Sequence, residues 1–510
     1  MRQEQSIQAT FVKLSNQTKL EHKIHLKASI EVARLLLNQG LAFHGHREDE
    51  SSLNKGNFLE ILSWYAKRCD KIDELVLNKA PKNDQMTSHK IQKDIVTACK
   101  IETIKAIMED LNGDYFSLLV DESCDISRKE QMAIVLRYVD RKGSVVERFI
   151  GIIHVHDTSA LCLKEAIVNY LAQHFLSLSF IRGQCYDGAS NMQGRLSGLK
   201  VFIQQQSKSA HAIHCFAHQL QLTLVGLSKK CLQVGELVLL VSNVLNVVGG
   251  SFKRMDELQE SQAKKVQVAL DMGEVESGRG LNQELGLARA ANTRWGSQYK
   301  SFKNFISMLG SITDVLDTIV VDSESVEEKA KATGYLKLQE LNDRFNEVRA
   351  GLLIGVACLN PVDSFSSFDI KNILRMAELY PDDFGENVMV TLRNQLETYI
   401  VDVRDVDKRF SNLKGLGDLS EMLVKVKKHL NYPLVFRLIK FALLLPVATA
   451  TVERAFSAMK LIKSELRNRM DDDFLSSCMV PYVEKRIFNT ISDESIMNRF
   501  QEMKTRRIEL

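Results

Sequence analysis

Apolar positions in the first 110 residues recur with the spacing of a helix. One stripe consists of Leu26, Ile30, Ala33 and Leu37. Positions three and four residues apart share one face of a helix, so this stripe predicts an amphipathic segment. Two further helical patterns begin at Asn57 and Ser88, each after a polar break. The sequence therefore predicts a helical N-terminal region over residues 1–110.

After this region the apolar period shortens to that of β-strands. Runs rich in β-branched and aromatic residues predict strands at 115–120, 133–139 and 145–155, the last two as a hairpin. Two later strands, at 180–186 and 212–214, alternate with helical patterns. Contiguous strands pair antiparallel, whereas strands joined by helical crossovers are parallel. The order predicts an α/β fold: a mixed, ribonuclease-H-like sheet with helices on both faces.

The rest of the chain is predominantly helical. Helical patterning covers residues 231–429, within which Lys264–Leu287 is predicted to be a loop. Apolar helical patterning resumes over 430–490, and a polar tail follows over 491–510. No apolar stretch reaches the ~18 residues that span a bilayer, so no membrane partner is expected. The N-terminus lacks the apolar region of a secretory signal.

Composition narrows the class of protein further. The 510 residues are 45% hydrophobic and 26% charged, which is typical of a folded globular protein. The net charge of +3 falls short of a strongly basic nucleic-acid-binding domain. The nine cysteines include no CxxC pair, which excludes a disulfide framework and a Cys₄ zinc module. His214 and His218 have a spacing that zinc can use, but no second ligand cluster accompanies them, so no zinc is expected.

Three acidic residues stand where elements end or begin. Asp121 and Asp187 follow the first and fourth predicted strands, and Glu453 falls in the first turn of a helix after Thr449. Carboxylates at adjacent strand ends meet at one sheet edge and are hard ligands for Mg²⁺ or Mn²⁺. Two such ions can catalyse phosphodiester chemistry. From spacing alone, turn formation by the aspartates and a helix-dipole role for the glutamate stay open.

Five strings in a fixed order change this weighting. They are Leu119-Val-Asp121-Glu-Ser123, Asp187-Gly-Ala-Ser-Asn-Met192, His214-Cys-Phe-Ala-His218-Gln-Leu-Gln-Leu222, Thr293-Arg-Trp295 and Thr451-Val-Glu453-Arg-Ala-Phe-Ser457. They resemble the first-aspartate, second-aspartate, Cys-x-x-His, Arg-Trp and final-glutamate motifs of hAT-superfamily DNA transposases. The strings from Gln39 to His46 and from Asn54 to Phe58 look like the zinc-finger-MYM-like or TTF-type branch.

The resemblance implies a ribonuclease-H-like core that is split by a helical insertion. Residues 111–230 would form its first part, 231–429 the insertion, and 430–490 a dimerisation region that completes the core. Asp121, Asp187 and Glu453 would then be the catalytic, metal-binding triad, with Mg²⁺ or Mn²⁺ as cofactor.

Further residues receive roles from the same resemblance. Arg294 and Trp295 would contact DNA, with a buried tryptophan as the alternative. The positively charged segment 454–469 adds the candidate DNA contacts Arg454, Lys460 and Lys463, with a solvated helix face as the alternative. A structural role is expected for Cys215 and His218.

One departure from the family pattern keeps several functions open. Before Asp121 only Cys69 and Cys99 occur, so the usual N-terminal zinc finger is not expected. The first hypothesis is an active DNA strand-cleaving and strand-transferring enzyme that dimerises through its C-terminal region. The second is a domesticated, inactive protein that binds DNA or protein and dimerises. A ribonuclease-H-type nuclease for RNA–DNA hybrids is third. The expected location is the nucleus, with the cytoplasm as the alternative.

Overall fold

The computed structural model describes residues 2–45, 48, 51–77, 86–194, 196–215, 218–219, 252–271, 347–446 and 449–504. The chain divides into a unit of Met1–Cys215 with Val348–Leu510 and a second unit of Phe216–Glu347. Residues 348–429, which the sequence assigned to the insertion, therefore group with the sheet. The other predicted boundaries stay predictions.

The first unit contains one mixed β-sheet. Its described strands are β1 (Phe116–Cys124), β2 (Glu130–Val139), β3 (Val145–His154), β4 (Ile181–Tyr186) and β5 (His211–His214). They lie in the order β3-β2-β1-β4-β5. β2 is antiparallel to both β1 and β3, whereas β4 is parallel to both β1 and β5. The predicted α/β class, with its mixed sheet, is confirmed.

Helices surround this sheet in the chain order that the sequence predicts. The described helices before residue 216 are α1 (Arg2–Gln39), α2 (Asn57–Ala66), α3 (Asp70–Asp73), α4 (His89–Leu111), α5 (Ala160–Gln173), α6 (Ser190–Gln193) and α7 (Leu199–Gln206). Ser88 caps α4 by accepting a hydrogen bond from the Ile91 amide. None of the described helices combines the length and the apolar character that crossing a bilayer requires.

The later described helices complete the two units. They are α8 (Phe252–Asp271), α9 (Glu347–Cys358), α10 (Val362–Phe365), α11 (Ile370–Glu378), α12 (Glu386–Ile400), α13 (Leu416–Lys425), α14 (Pro433–Leu444), α15 (Ala450–Ile462), α16 (Asp472–Val483), α17 (Lys485–Phe488) and α18 (Asp493–Glu502). The predicted loop at Lys264–Leu287 is wrong over 264–271, where α8 continues. An ion pair of 2.8 Å between Glu260 and Lys264, four residues apart, favours the helix there.

One face of the sheet packs against the N-terminal and C-terminal helices together. The shared core includes Leu26, Ile30, Phe58, Ile95, Leu119, Val135, Phe149, Cys185, Val452, Phe456, Leu475 and Phe500. These residues come from both ends of the chain. The C-terminal helices are therefore part of the folded core and not an appendage to it.

A buried ion pair attaches the segment before α12 to the sheet. Arg182 of β4 makes two hydrogen bonds to the Asp383 carboxylate, at 2.6 and 2.9 Å, and both side chains are buried. The Arg182 guanidinium also lies 4.2 Å from the ring centroid of Tyr115. Nearby, the His211 ring bonds the carbonyl of Leu379 at 2.8 Å. Removing one partner of a buried pair leaves an uncompensated charge, so these contacts fix this segment on the sheet.

Candidate functional site

The pairing of β1 with β4 brings two of the predicted acids to the same edge. Leu119 lies opposite Cys185 in the parallel register. Two residues further along each chain stand Asp121 and Asp187, so both carboxylates emerge at the carboxyl end of adjacent strands. Open α/β sheets bind ligands at this end.

Each aspartate also makes a local backbone contact. Asp121 Oδ1 accepts a hydrogen bond from the amide of Glu122 at 2.9 Å, and Asp187 Oδ1 accepts one from the amide of Ala189 at 3.0 Å. Asp187 therefore shapes the turn after β4, as the alternative interpretation of the sequence expected. A turn contact through one oxygen is compatible with a ligand role for the carboxylate.

The start of α15 is fixed beside this edge. The Thr449 amide and hydroxyl both donate to Cys215 Sγ at 3.5 Å, and the Cys215 amide donates to the carbonyl of Tyr186 at 3.0 Å. Tyr186 immediately precedes Asp187. Glu453 lies one turn beyond Thr449 on the same helical face, and its amide donates to the Thr449 carbonyl. These contacts place the helix of Glu453 next to the strand end of Asp187.

A glycine lets the chain reach this position. A Cβ atom on Gly183 would lie 2.5 Å from Ser117 Oγ and 3.0 Å from Pro446 Cδ. Any larger residue at 183 would push apart the β1–β4 pair or the segment that leads into α15. The close approach of Pro446 to the sheet therefore depends on this glycine.

A polar network holds the first turn of α15 in place. Arg137 of β2 forms an ion pair with Glu147 of β3 at 2.8 Å and donates to the carbonyl of Leu443 at 2.9 Å. Glu147 also bonds the hydroxyl of Thr451. Arg454 then donates to that hydroxyl oxygen at 2.7 Å. Three strongly oriented side chains thus fix where the helix begins.

A fourth acid, Glu122, lies at the edge and was missed in the sequence. Burial raises its pKa to about 7, and the negative charges of Glu130, Asp187 and Asp121 add to the effect. Asn191 lies near its carboxylate, with Nδ2 3.5 Å from Oε1. Glu122 directly follows Asp121 at a strand end, which was the only available signal. Strand alternation alone would have pointed it to the opposite face.

The predicted DNA contacts have different surroundings. Arg454 and Lys460 are exposed on α15. Lys463 is corrected: its side chain is 1% exposed and bonds Asp125 at 2.7 Å, so it does not reach a phosphate. Arg294 and Trp295 lie outside the described residues. Cys215 is buried in the core, whereas the structural role of His218 stays a prediction.

Two family models match this chain. One, described as ZMYM1/FAM200, RNase-like domain, matches residues 1–198. The other, the hAT family C-terminal dimerisation region, matches residues 412–485. The chain is a hAT-derived protein. The second match overlaps the predicted dimerisation region of 430–490 and begins before it.

Two curated relatives are similar to part of this hAT-derived chain. The human protein named "52 kDa repressor of the inhibitor of the protein kinase" is 21% identical over 310 residues, 59% of this chain and 39% of the relative. The mouse protein of the same name is 20% identical over 313 residues, 60% of this chain and 39% of the relative. The chain thus spans about two fifths of the length of these relatives.

The acidic edge of this hAT-derived chain fits a divalent cation. The donors are carboxylate oxygens, which Mg²⁺ and Mn²⁺ prefer. The raised pKa of Glu122, caused first by burial and then by neighbouring carboxylates, indicates an excess of negative charge at the edge. A bound cation would offset that charge. Asp121, Asp187 and Glu453 are the residues that would hold it.

Proposed function

We propose that this chain is a hAT transposase-like protein whose acidic edge binds Mg²⁺ or Mn²⁺ and cleaves DNA strands. The observation that carries the proposal is the register of β1 and β4, which aligns Asp121 with Asp187 beside the helix of Glu453. When bound, such ions activate a water or a 3′-hydroxyl and stabilise the leaving oxygen.

The residues of the chain would divide this work. The carboxylates of Asp121 and Asp187 would hold and orient the reacting groups from a rigid sheet, and Glu453 would close the site from α15. Positioning on strands and a packed helix keeps such groups within the narrow geometry that catalysis needs. Glu122, with a pKa of about 7, would exchange its carboxyl proton near neutral pH.

DNA would approach along the exposed basic side of α15. Arg454 and Lys460 are exposed there and would contact the phosphate backbone. We assign Arg294 and Trp295 to the same substrate from the family motif alone, with the tryptophan stacking on a base. A DNA substrate makes the nucleus the proposed location.

The test is strand cleavage of a labelled duplex that carries the terminal repeats flanking the gene. Glu453→Gln is compared with Glu465→Gln, because both glutamates are exposed in the C-terminal segment and only Glu453 belongs to the site. With Mg²⁺ or Mn²⁺, the wild type and Glu465→Gln should cleave. Glu453→Gln and Asp187→Asn should fall to the background measured with EDTA.

Three other outcomes would contradict the proposal. Equal cleavage by all variants would remove Glu453 and Asp187 from catalysis. Cleavage restricted to an RNA–DNA hybrid would indicate a ribonuclease-H-type nuclease. DNA binding with no cleavage by any protein would favour the second candidate function.

That second candidate is a domesticated binding protein that dimerises without chemistry. The observation in its favour is the similarity to relatives whose name describes a repressor. In both candidates the region matched at 412–485 mediates homodimerisation. Leu461 and Leu466, 54% and 98% exposed, lie within this region and would contribute to the interface.

Sedimentation of purified protein tests this interface. Leu461→Asp combined with Leu466→Asp should convert a dimer to a monomer, with melting temperature otherwise close to that of the monomeric wild type. Val390→Asp is the matched control, because Val390 is 64% exposed but lies outside the matched region. An unchanged dimer in the double variant would place the interface elsewhere.

A further inference from the structure

Three side chains converge at a place remote in sequence from the acidic edge. Glu48 bonds two imidazoles at once: His44 Nδ1 lies 3.2 Å from its Oε1, and His89 Nε2 lies 2.8 Å from its Oε2. Potential ligand atoms of all three residues lie within 4.8 Å of one another. The two rings lie almost parallel, with centroids 3.9 Å apart.

The surroundings favour the unprotonated forms that bind metals. His44 and Glu48 are mostly buried, with side chains 25% and 21% exposed. Burial lowers the pKa of His44, and the neighbouring His89 lowers it further, whereas Glu48 acts in the opposite sense. A neutral imidazole and an ionised carboxylate are the states that ligate a cation.

We propose that His44, Glu48 and His89 bind one Zn²⁺ ion. Two imidazoles and one carboxylate suit zinc, whereas Mg²⁺ and Ca²⁺ prefer oxygen ligands alone. Tetrahedral zinc with bonds of 2.0–2.1 Å places its ligand atoms about 3.3 Å apart. The separations of 3.2 and 2.8 Å to the shared carboxylate are close to that value.

Binding requires only a small rearrangement. Nearly parallel rings cannot both aim a nitrogen lone pair at one ion, so one ring must turn. His89 is the ring that can turn, because its side chain is 62% exposed and stands at the first position of α4. A solvent molecule would take the fourth position, as in zinc sites with three protein ligands.

The ion would connect two separate pieces of the N-terminal region. His44 and Glu48 lie in the connection between α1 and α2, and His89 begins α4, 45 positions after His44. This departs from the expectation of no zinc, which rested on the surroundings of His214 and His218. Forty-five residues between ligands form no recognisable spacing, so only the fold reveals this set.

The experiment uses the full chain, stripped with EDTA and then given Zn²⁺ in the presence of excess Mg²⁺ to occupy the acidic edge. After gel filtration, the wild type should retain one equivalent of zinc more than His89→Ala. The control His156→Ala removes an exposed histidine of the His154–His156 pair, whose rings also meet, at 4.3 Å. This control should retain as much zinc as the wild type.

A second variant and a second signal make the result decisive. Glu48→Gln keeps both imidazoles but removes the charge, so it should also lose the extra equivalent. Co²⁺ in place of zinc should give the wild type tetrahedral visible absorption that His89→Ala lacks. Because His89 is exposed, the metal-free melting temperature of its variant should match the wild type. Equal zinc content in wild type and His89→Ala, or none in either, would overturn the proposal.

Discussion

Two acids near the end of β1 have opposite surroundings although three positions separate them. The Asp125 carboxylate is fully buried and bonds Lys463 Nζ at 2.7 Å, with Gln131 and the amides of Ser127 and Lys129 as further donors. Glu122 is instead acted on by the negative charges of other carboxylates. One acid is matched by a cation, and the other belongs to a cluster of like charges.

The pKa values express this difference. Burial alone would raise the pKa of Asp125, but the hydrogen bond and charge of Lys463 lower it overall. For Glu122, burial and like charges act together and raise the pKa to about 7. A matched buried pair fixes the fold, whereas clustered carboxylates retain an unmet demand for positive charge. The comparison separates a structural acid from candidate functional ones on the same strand.

The largest effect is expected from breaking the matched pair. Lys463→Met leaves the Asp125 carboxylate buried without its ammonium partner, which should cost about 3–5 kcal/mol of unfolding free energy. Urea unfolding at neutral pH measures this. Lys460→Met, an exposed change on the same helix, should stay within about 0.5 kcal/mol.

A double variant checks the cause. Adding Asp125→Asn to Lys463→Met removes the buried charge while the amide oxygen can still accept from the Ser127 and Lys129 backbone. Part of the lost stability should return. If Lys463→Met costs no more than Lys460→Met, the pair is not the element that distinguishes Asp125 from Glu122.

The sequence predicted most of what local patterns encode. Alternation and helical crossovers were sufficient for the five strands and their mixed pairing. The positions of Asp121 and Asp187 followed from strand ends. Asp383, which pairs with Arg182, could not be found, because their contact joins residues 201 positions apart.

Lys463 illustrates a signal that was present but outweighed. It stands four residues after Met459 and seven after Phe456, so it continues the apolar face of α15. Counting charges along the segment hid this periodicity. Glu122 is the converse case, since its pKa depends on burial and on Glu130 from the next strand. Neither quantity is available before the strands pair.

The second prediction concerns the pH dependence that Glu122 imposes. Its pKa of about 7 exceeds the ordinary value of 4.5, so the folded protein holds this proton in a range where the unfolded chain has lost it. Stability from this group is therefore present below about pH 4.5 and is lost as the pH rises through 7. Allowing for partial solvent exposure, the loss should be about 1–2 kcal/mol.

Glu122→Gln measures this loss directly. Relative to wild type in metal-free buffer, the variant should gain stability as the pH rises from about 5 to about 8, by the same 1–2 kcal/mol. Glu165→Gln, an exposed change on α5, should show no such trend. Parallel stability profiles for wild type and Glu122→Gln would mean that Glu122 is not held protonated by its neighbours.

The smallest effect should come from Asp187→Asn, and it tests whether the clustered acids act on one another. The amide oxygen can still accept from the Ala189 backbone, so unfolding free energy should change by less than about 1 kcal/mol. Removing the charge should nevertheless lower the pKa of Glu122 from about 7 towards its ordinary value, because Asp187 is one of the charges that raise it. Carboxyl carbon NMR of Glu122 across a pH titration measures the shift, and Asp382→Asn, an exposed change elsewhere, should leave it unaltered. Asp187→Ala should lose the turn contact as well and cost about 1 kcal/mol more. If the pKa of Glu122 does not move in Asp187→Asn, the acids share no common field, and the contrast with Asp125 then reduces to burial alone.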